Sequence, residues 1–232
     1  MKKHSNKVMI PPIVIEGTDG SGKGTQFKKL VARLRREGHS VATFDFPQYG
    51  TPSAYFVEQY LNGRYGSVNE VGPLRGSIFY AMDRYDVAPK IKKAMKQKKL
   101  VVLNRYTTSN EGHQGTKIKG KRNRRKFFKW VEELEYDILG IPRPGLCIIL
   151  HVPAEIAQKL VDKKKSRKYL GGKKRDIHEA DLNHLKLAEK VYLELAHLSP
   201  KTYVVVECVK KGKLLSIDEI HEKIWKIVKN HI

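Results

Sequence analysis

The sequence predicts an α/β fold in three layers, a five-stranded parallel sheet flanked by helices. Two observations carry this. Short apolar runs alternate along the chain with longer stretches in which apolar residues recur every three or four positions, which is the pattern of βαβ units. The apolar runs are mostly continuous, as strands covered on both faces should be.

The strands are predicted at Ile13 to Glu16, Val41 to Phe46, Leu100 to Leu103, Leu146 to Val152 and Tyr203 to Cys208. After the first comes a glycine-rich loop, then a helix in which Phe27, Leu30, Val31 and Leu34 share a face and Gly38 supplies a stop. Helical spacing returns at Phe127, Val131, Leu134 and Ile138, at Leu185, Ala188, Tyr192 and Leu195, and at Ile217, Ile220, Ile224 and Val228. A further helix begins near Ala154. Between it and a helix after Asp176 lies a basic, glycine-containing stretch near Lys163 to Lys174, the composition of either a mobile flap or an exposed connection. No repeat or low-complexity linker divides the 232 residues, and one domain spanning 1–232 is expected.

Composition narrows the partners. Net charge is +22, from 46 Lys and Arg against 24 Asp and Glu, which favours polyanions: nucleic acid, anionic lipid or phosphorylated small molecules. The basic residues gather at Lys90 to Lys99, Lys117 to Lys129 and Lys163 to Arg175, and the first two groups read as solvated helix faces or loops. No recognised nucleic-acid motif accompanies them, so nucleic-acid binding is expected only as incidental electrostatics. Cys147 and Cys208 each sit in an apolar run and read as buried free thiols, suiting a reducing cytoplasm. Neither a signal-peptide core nor an apolar stretch of bilayer-spanning length is found, so a soluble cytoplasmic protein without membrane attachment is expected.

The most specific local signal is the run Gly17, Thr18, Asp19, Gly20, Ser21, Gly22, Lys23, Gly24 and Thr25, directly after a strand and directly before an amphipathic helix. That context is the one a phosphate-binding P-loop requires. Glycines let backbone N–H groups curl around phosphate oxygens, the helix N-terminus adds positive potential, and Lys23 reaches the outer phosphates. The usual pattern has Ser or Thr immediately after the lysine as a magnesium ligand; here Gly24 takes that position and Thr25 follows. A GKGT loop resembles those of nucleoside monophosphate kinases.

Tyr80 and Arg84, four apart in FYAMDRY, would share one helix face and set an aromatic plate beside a hydrogen-bonding fork. Arg105 follows the strand LVVLN, at the carboxyl edge where open α/β sheets place ligands, and Asn110, His113 and Gln114 follow at helical spacing. Together TDG, FPQY (46–49), FYAMDRY (79–85), NRYTTSNEGHQG (104–115) and RDIHE (175–179) resemble the thymidylate kinases, in the right order and over nearly the whole chain.

The resemblance implies a P-loop kinase fold, MgATP as phosphoryl donor, dTMP as acceptor and a homodimer. It implies that Asp19 meets the sugar 3′-hydroxyl, that Phe46 and Pro47 form a wall, that Tyr80 stacks on thymine and that Arg84 meets a base carbonyl. Arg105 would grip the acceptor phosphate, Asn110 would contact the base, and His113 and Gln114 would line base and sugar. The phosphate loop holds no arginine, and family members of that kind draw basic catalytic residues from a lid. Arg167 and Arg175, in a lid near 163–177, are therefore expected to act with Lys23 and Arg105, with Lys168, Lys173 and Lys174 as substitutes. Two departures stand out. Gln48 replaces an arginine that some members carry, and Asn104 replaces an aspartate thought to serve the Mg2+ environment. Other P-loop kinases with GKG loops, such as adenylate-type enzymes, are one alternative, against which Tyr80, Arg84 and Asn110 argue, and a basic nucleic-acid-binding protein with a degenerate P-loop is the other.

Overall fold

The computed structural model describes residues 10–162 and 182–232. Strand β1 (Ile13–Gly17) is buried throughout and runs into helix α1 (Lys23–Arg36). Strand β2 (Val41–Asp45) follows, then α2 (Tyr55–Leu61) and the long α3 (Val68–Lys96). Next come β3 (Leu100–Asn104), a single turn α4 (Thr107–Ser109) and a π-helical segment, Asn110–Gln114. Helix α5 (Lys121–Glu132) passes directly into a second π-helical segment, Glu133–Ile138. The chain continues through β4 (Leu146–His151), α6 (Ala154–Asp162), α7 (Leu182–Leu198) and β5 (Tyr203–Glu207). A small antiparallel pair, β6 (Val209–Lys210) and β7 (Lys213–Leu214), precedes α8 (Ile217–Lys229).

The five main strands form one sheet in the order β2-β3-β1-β4-β5, every pair parallel, as the sequence predicts. Side chains alternate across it because a strand has a period of two. Val14, Val101, Leu103, Cys147 and Ile149 pack with α3, α5 and α7, whereas Ile13, Ile15, Val102, Ile148 and Leu150 pack with α1 and α8. Both cysteines are buried free thiols. The connection from β1 runs to β2 on one side of the sheet and the connection from β3 runs to β4 on the other, and that divergence opens a crevice beyond the carboxyl ends of β1 and β3.

Helix boundaries follow local chemistry. Ser67 and Ser216 head α3 and α8 with reciprocal capping boxes to Glu70 and Glu219. Gly72, at φ 72°, breaks the first turn of α3 from the rest, and Pro73 restarts the helix. The apolar stripe expected at Phe127, Val131, Leu134 and Ile138 is corrected at its end. Ile138 is 70% exposed, while Glu135 and Tyr136 are buried. A π turn holds more residues than an α turn, so it rotates Ile138 off the core face and brings Glu135 onto it. No described helix is long and apolar enough to cross a membrane.

Candidate active site

Lys23 begins α1 at the end of the phosphate loop. Gly22, its N-cap, sits in the left-handed region at φ 86° and caps no N–H with a side chain, and the first turn carries no acidic residue. The N–H groups of that turn are therefore open to an anion. Gly20 is needed for another reason: a Cβ there would stand 2.1 Å from the carbonyl oxygen of Ala157 on α6, so only glycine lets the loop lie against that helix. Lys23 Nζ donates to the carbonyls of Gly17 (2.9 Å) and Thr18 (2.7 Å), lying across its own loop.

Arg105 leaves the edge of β3 with φ 61°, a conformation that non-glycine residues adopt rarely and that turns the side chain toward the loop. Its N–H donates to Ile15 O at 3.0 Å, and the next residue's N–H donates to the buried Glu16 carboxylate at 2.8 Å. Glu16 also accepts from Ser109 and Tyr192, at 2.8 and 3.0 Å, so one buried acid ties β1, α4 and α7 beneath the crevice. The Arg105 guanidinium donates to Asp19 and, at 3.0 Å, to His113 Nε2. Burial opposes its charge, and Asp19 together with Glu16, Tyr192 and Tyr49 more than offsets this, holding its pKa above the ordinary arginine value. An arginine can only donate, so His113 Nε2 accepts, Nδ1 carries the proton, and that proton faces His184 Nε2 at 3.3 Å.

On the opposite wall α3 contributes Tyr80 and Arg84 from one face, as their spacing requires. Arg84, 2% exposed, makes a bidentate pair with Glu135, both bonds at 2.6 Å. Glu135 accepts two more, from Thr107 at 2.7 Å and from Asn110 Nδ2 at 2.8 Å. The preceding residue, Asp83, anchors the FPQY loop by accepting from Gln48 N at 3.0 Å and Ser53 Oγ at 2.7 Å. Burial raises the Asp83 pKa against those two bonds.

These walls enclose a cavity of about 560 Å³. Of the residues expected from sequence, Asp19, Gly20, Gly22, Lys23, Gly24 and Thr25 line it on the loop side, and Phe46, Tyr80, Arg84, Arg105, Asn110, His113 and Gln114 line the rest. Asn104 lies at its edge. Gly17, Thr18 and Ser21 do not reach it: the hydroxyls of Thr18 and Ser21 are buried under the loop without a partner among the described residues, so only backbone groups of these residues can serve an anion. Arg167, Lys168, Lys173, Lys174 and Arg175, with the expected lid, fall outside the described residues.

Sequence reasoning missed several residues. Lys28, Asp45, Tyr49 and Ser109 also line the cavity, and Glu16, Asp83 and Glu135 hold its walls from behind. Asp45 had a signal, since it ends β2 directly before FPQY; Glu135 had none, since a charged residue in an amphipathic helix reads as solvent-facing. Lys117 corrects the reading of its basic cluster as wholly solvated. It donates to Tyr60 Oη at 2.9 Å and to Gln114 Oε1 at 2.5 Å, whereas Lys121, Arg122, Arg125, Lys126 and Lys129 are exposed.

Asn104 and Asp45 are register partners at the ends of β3 and β2, and Asn104 Nδ2 donates to Asp45 Oδ1 at 2.8 Å. Asn104 Oδ1 is buried and has no partner among the described residues. An unpartnered amide oxygen beside a carboxylate suits a hard cation. Among the described residues no cluster of three His, Cys, Asp or Glu forms a metal cage, so the fit is to an ion that brings most of its ligands as phosphate and water.

A family model described as thymidylate kinase matches residues 15–224. Over 185 residues the chain is 32% identical to the thymidylate kinase of Mycobacterium tuberculosis strain H37Rv, covering 79% of this chain and 85% of that protein. It is 25% identical to the thymidylate kinase of Deinococcus radiodurans over 217 residues, 93% and 95% of the two chains. With the human thymidylate kinase it shares 27% identity over 147 residues, 63% of each. With the parallel sheet, the phosphate loop and the cavity between them, these matches place the chain in the thymidylate kinase family.

Proposed function

We propose that this protein transfers the γ-phosphoryl group of ATP to dTMP, giving dTDP and ADP, as a cytoplasmic enzyme of dTTP synthesis. The observation that carries the proposal is a cavity in which an open-ended P-loop faces Tyr80, Arg84 and Asn110. Phosphoryl transfer demands in-line placement and charge stabilisation more than covalent chemistry. Lys23 and the N–H groups of the first turn of α1 would hold the ATP phosphates, and Arg105 the acceptor phosphate. Asp19, already bonded to Arg105, would take the sugar hydroxyl, so one ion pair aligns sugar and phosphate. Tyr80 would stack on the base against the wall of Phe46 and Pro47. Asp45 and Asn104 would hold the Mg2+ that accompanies ATP, which supplies neutralising charge to the phosphates.

We read residues 1–232 as one catalytic unit, with 163–177 as a lid whose Arg167 and Arg175 join the transferring phosphoryl group. A homodimer is supported by an exposed apolar row on α3, Leu74, Ile78, Met82 and Tyr85, beside Phe56 of α2. The test is ADP release with MgATP and dTMP, dUMP, dCMP, AMP or no acceptor, with Lys23→Ala as control. Turnover confined mainly to dTMP and lost in the variant is expected; turnover with none of the nucleotides would overturn the proposal.

A further inference from the structure

Glu135 touches no cavity surface, yet it accepts from both polar residues of the base-facing wall. Its carboxylate is fully buried and takes four hydrogen bonds: two from Arg84, one from Thr107 and one from Asn110. The consequence for Asn110 is directional. A side-chain amide has two N–H hydrogens and one carbonyl oxygen. Both hydrogens are spent, one on Glu135 Oε1 at 2.8 Å and one on Ser77 O at 3.0 Å. Only Oδ1, an acceptor, is left to meet a ligand. Arg84 is fixed in the same way: Nε and Nη2 grip Glu135, which leaves Nη1, a donor, at the wall.

We infer that Glu135 is a positioning residue that sets the polarity of this wall, a donor at Arg84 and an acceptor at Asn110, and so selects 4-oxo over 4-amino pyrimidines. The inference rests on the reading of this cavity as the dTMP site. A 4-oxo pyrimidine presents a carbonyl beside an N3–H, which complements donor and acceptor. Cytosine presents an amine beside a bare N3, so donor would meet donor and acceptor would meet acceptor in a buried site, where unpaired groups are costly. Without a carboxylate at 135 the Ser77 carbonyl alone still holds the Asn110 amide, so the amide turns over more readily and the pattern can reverse. Arg84 itself stays charged: burial works against its charge, and Glu135 more than compensates, leaving its pKa above the ordinary value.

Glu135→Gln tests this because glutamine keeps the shape but presents one oxygen where the carboxylate presents two, so Arg84, Thr107 and Asn110 compete for it and the hold on the Asn110 amide weakens. The wild type should prefer dTMP to dCMP by about 100-fold or more in kcat/KM. In E135Q that ratio should narrow about tenfold or more, through a higher KM for dTMP, with KM for ATP unchanged. The double variant E135Q/N110D, in which the negative charge moves to a residue that can only accept, should restore the preference, and it serves if E135Q does not fold. A folded E135Q that loses rate with both acceptors equally, or a folded double variant without the preference, would overturn the inference. A wild type that does not distinguish dTMP from dCMP would instead overturn the assignment of the cavity.

Discussion

Replacing Gly112 with alanine probes the packing that joins the π-helical segment Asn110–Gln114 to α7. A Cβ at Gly112 would lie 2.5 Å from Tyr192 Cζ, 2.6 Å from Cε2 and 2.9 Å from Cε1, where carbon atoms prefer about 3.5–4.0 Å, so the ring must retreat by about 1 Å. It has nowhere to go. Tyr192 is 2% exposed, its hydroxyl donates to Glu16 at 3.0 Å, and His113 meets the ring edge-on with centroids 5.8 Å apart. Overpacking of this kind costs about 1–3 kcal/mol, and for a chain of this size each kcal/mol lowers Tm by about 2–4 °C. Gly112→Ala should therefore melt about 2–12 °C below the wild type in a thermal scan. Because Glu16 also holds Tyr106 N and Ser109, kcat/KM for dTMP should fall as well. The control is Tyr192→Leu, whose side chain stops short of the clashing ring atoms. In that background alanine at 112 should be neutral or stabilise by up to about 1 kcal/mol, the ordinary gain over glycine in a helical backbone. Equal melting of Gly112→Ala and wild type, or the same loss in both backgrounds, would refute the reasoning.

Glu111 is buried, and desolvation together with Glu132 and Glu135 raises its pKa well above 4.5. The folded state then keeps a proton that the unfolded state releases above about pH 4.5, so this contribution to stability is full below that pH and is lost as pH rises toward the folded pKa. Glu111→Gln removes the dependence, and its Tm should exceed that of the wild type by more at pH 8 than at pH 5. Burial pushes Lys117 down to about 8 from 10.5, so the wild type should gain stability from this group between pH 8 and 10.5. Lys117→Met should lose that gain in melting curves and raise KM for dTMP, because Gln114 loses its partner. Asn104→Asp would set two carboxylates side by side at the ends of β3 and β2 and raise one of their pKa values. Its Tm deficit should widen from pH 5 to pH 8, and Asp45→Asn in the same chain should close it.

Much of the fold was legible because each strand is a continuous apolar run ended by a turn or glycine. All five predicted strands match observed ones to within a residue at either end. The glycine-rich loop after β1 was legible for a different reason: its glycines, lysine and flanking elements each answer a separate steric or electrostatic need. The rest depends on side chains that meet only after folding. Glu135 lies 51 positions from Arg84 and is turned inward by π geometry that no periodicity of 3.6 anticipates. Lys117 looks like one more charge in a basic run until Tyr60, 57 positions away, receives its ammonium group. Thr18 and Ser21 belong to the phosphate loop by sequence, yet the turn that exposes its backbone buries their hydroxyls.

The two departures from the family pattern acquire a common sense at the sheet edge. Gln48 uses its backbone N–H to fix the FPQY loop on Asp83, and its side chain does not line the cavity. The cations that line it among the described residues are Lys23, Lys28, Arg84 and Arg105, and Arg84 is committed to Glu135. In the proposed assignment an acceptor phosphate falls to Arg105, which Asp19 and His113 already aim. Asn104, for its part, does not leave the edge without a negative charge, because Asp45 stands beside it and accepts from its amide. Asp45 lies at the end of β2, about 4.8 Å across the sheet from Asn104 at the end of β3. Burial raises the Asp45 pKa, while Asn104 and Arg105 act to lower it, so the amide that replaces one aspartate helps keep the other charged.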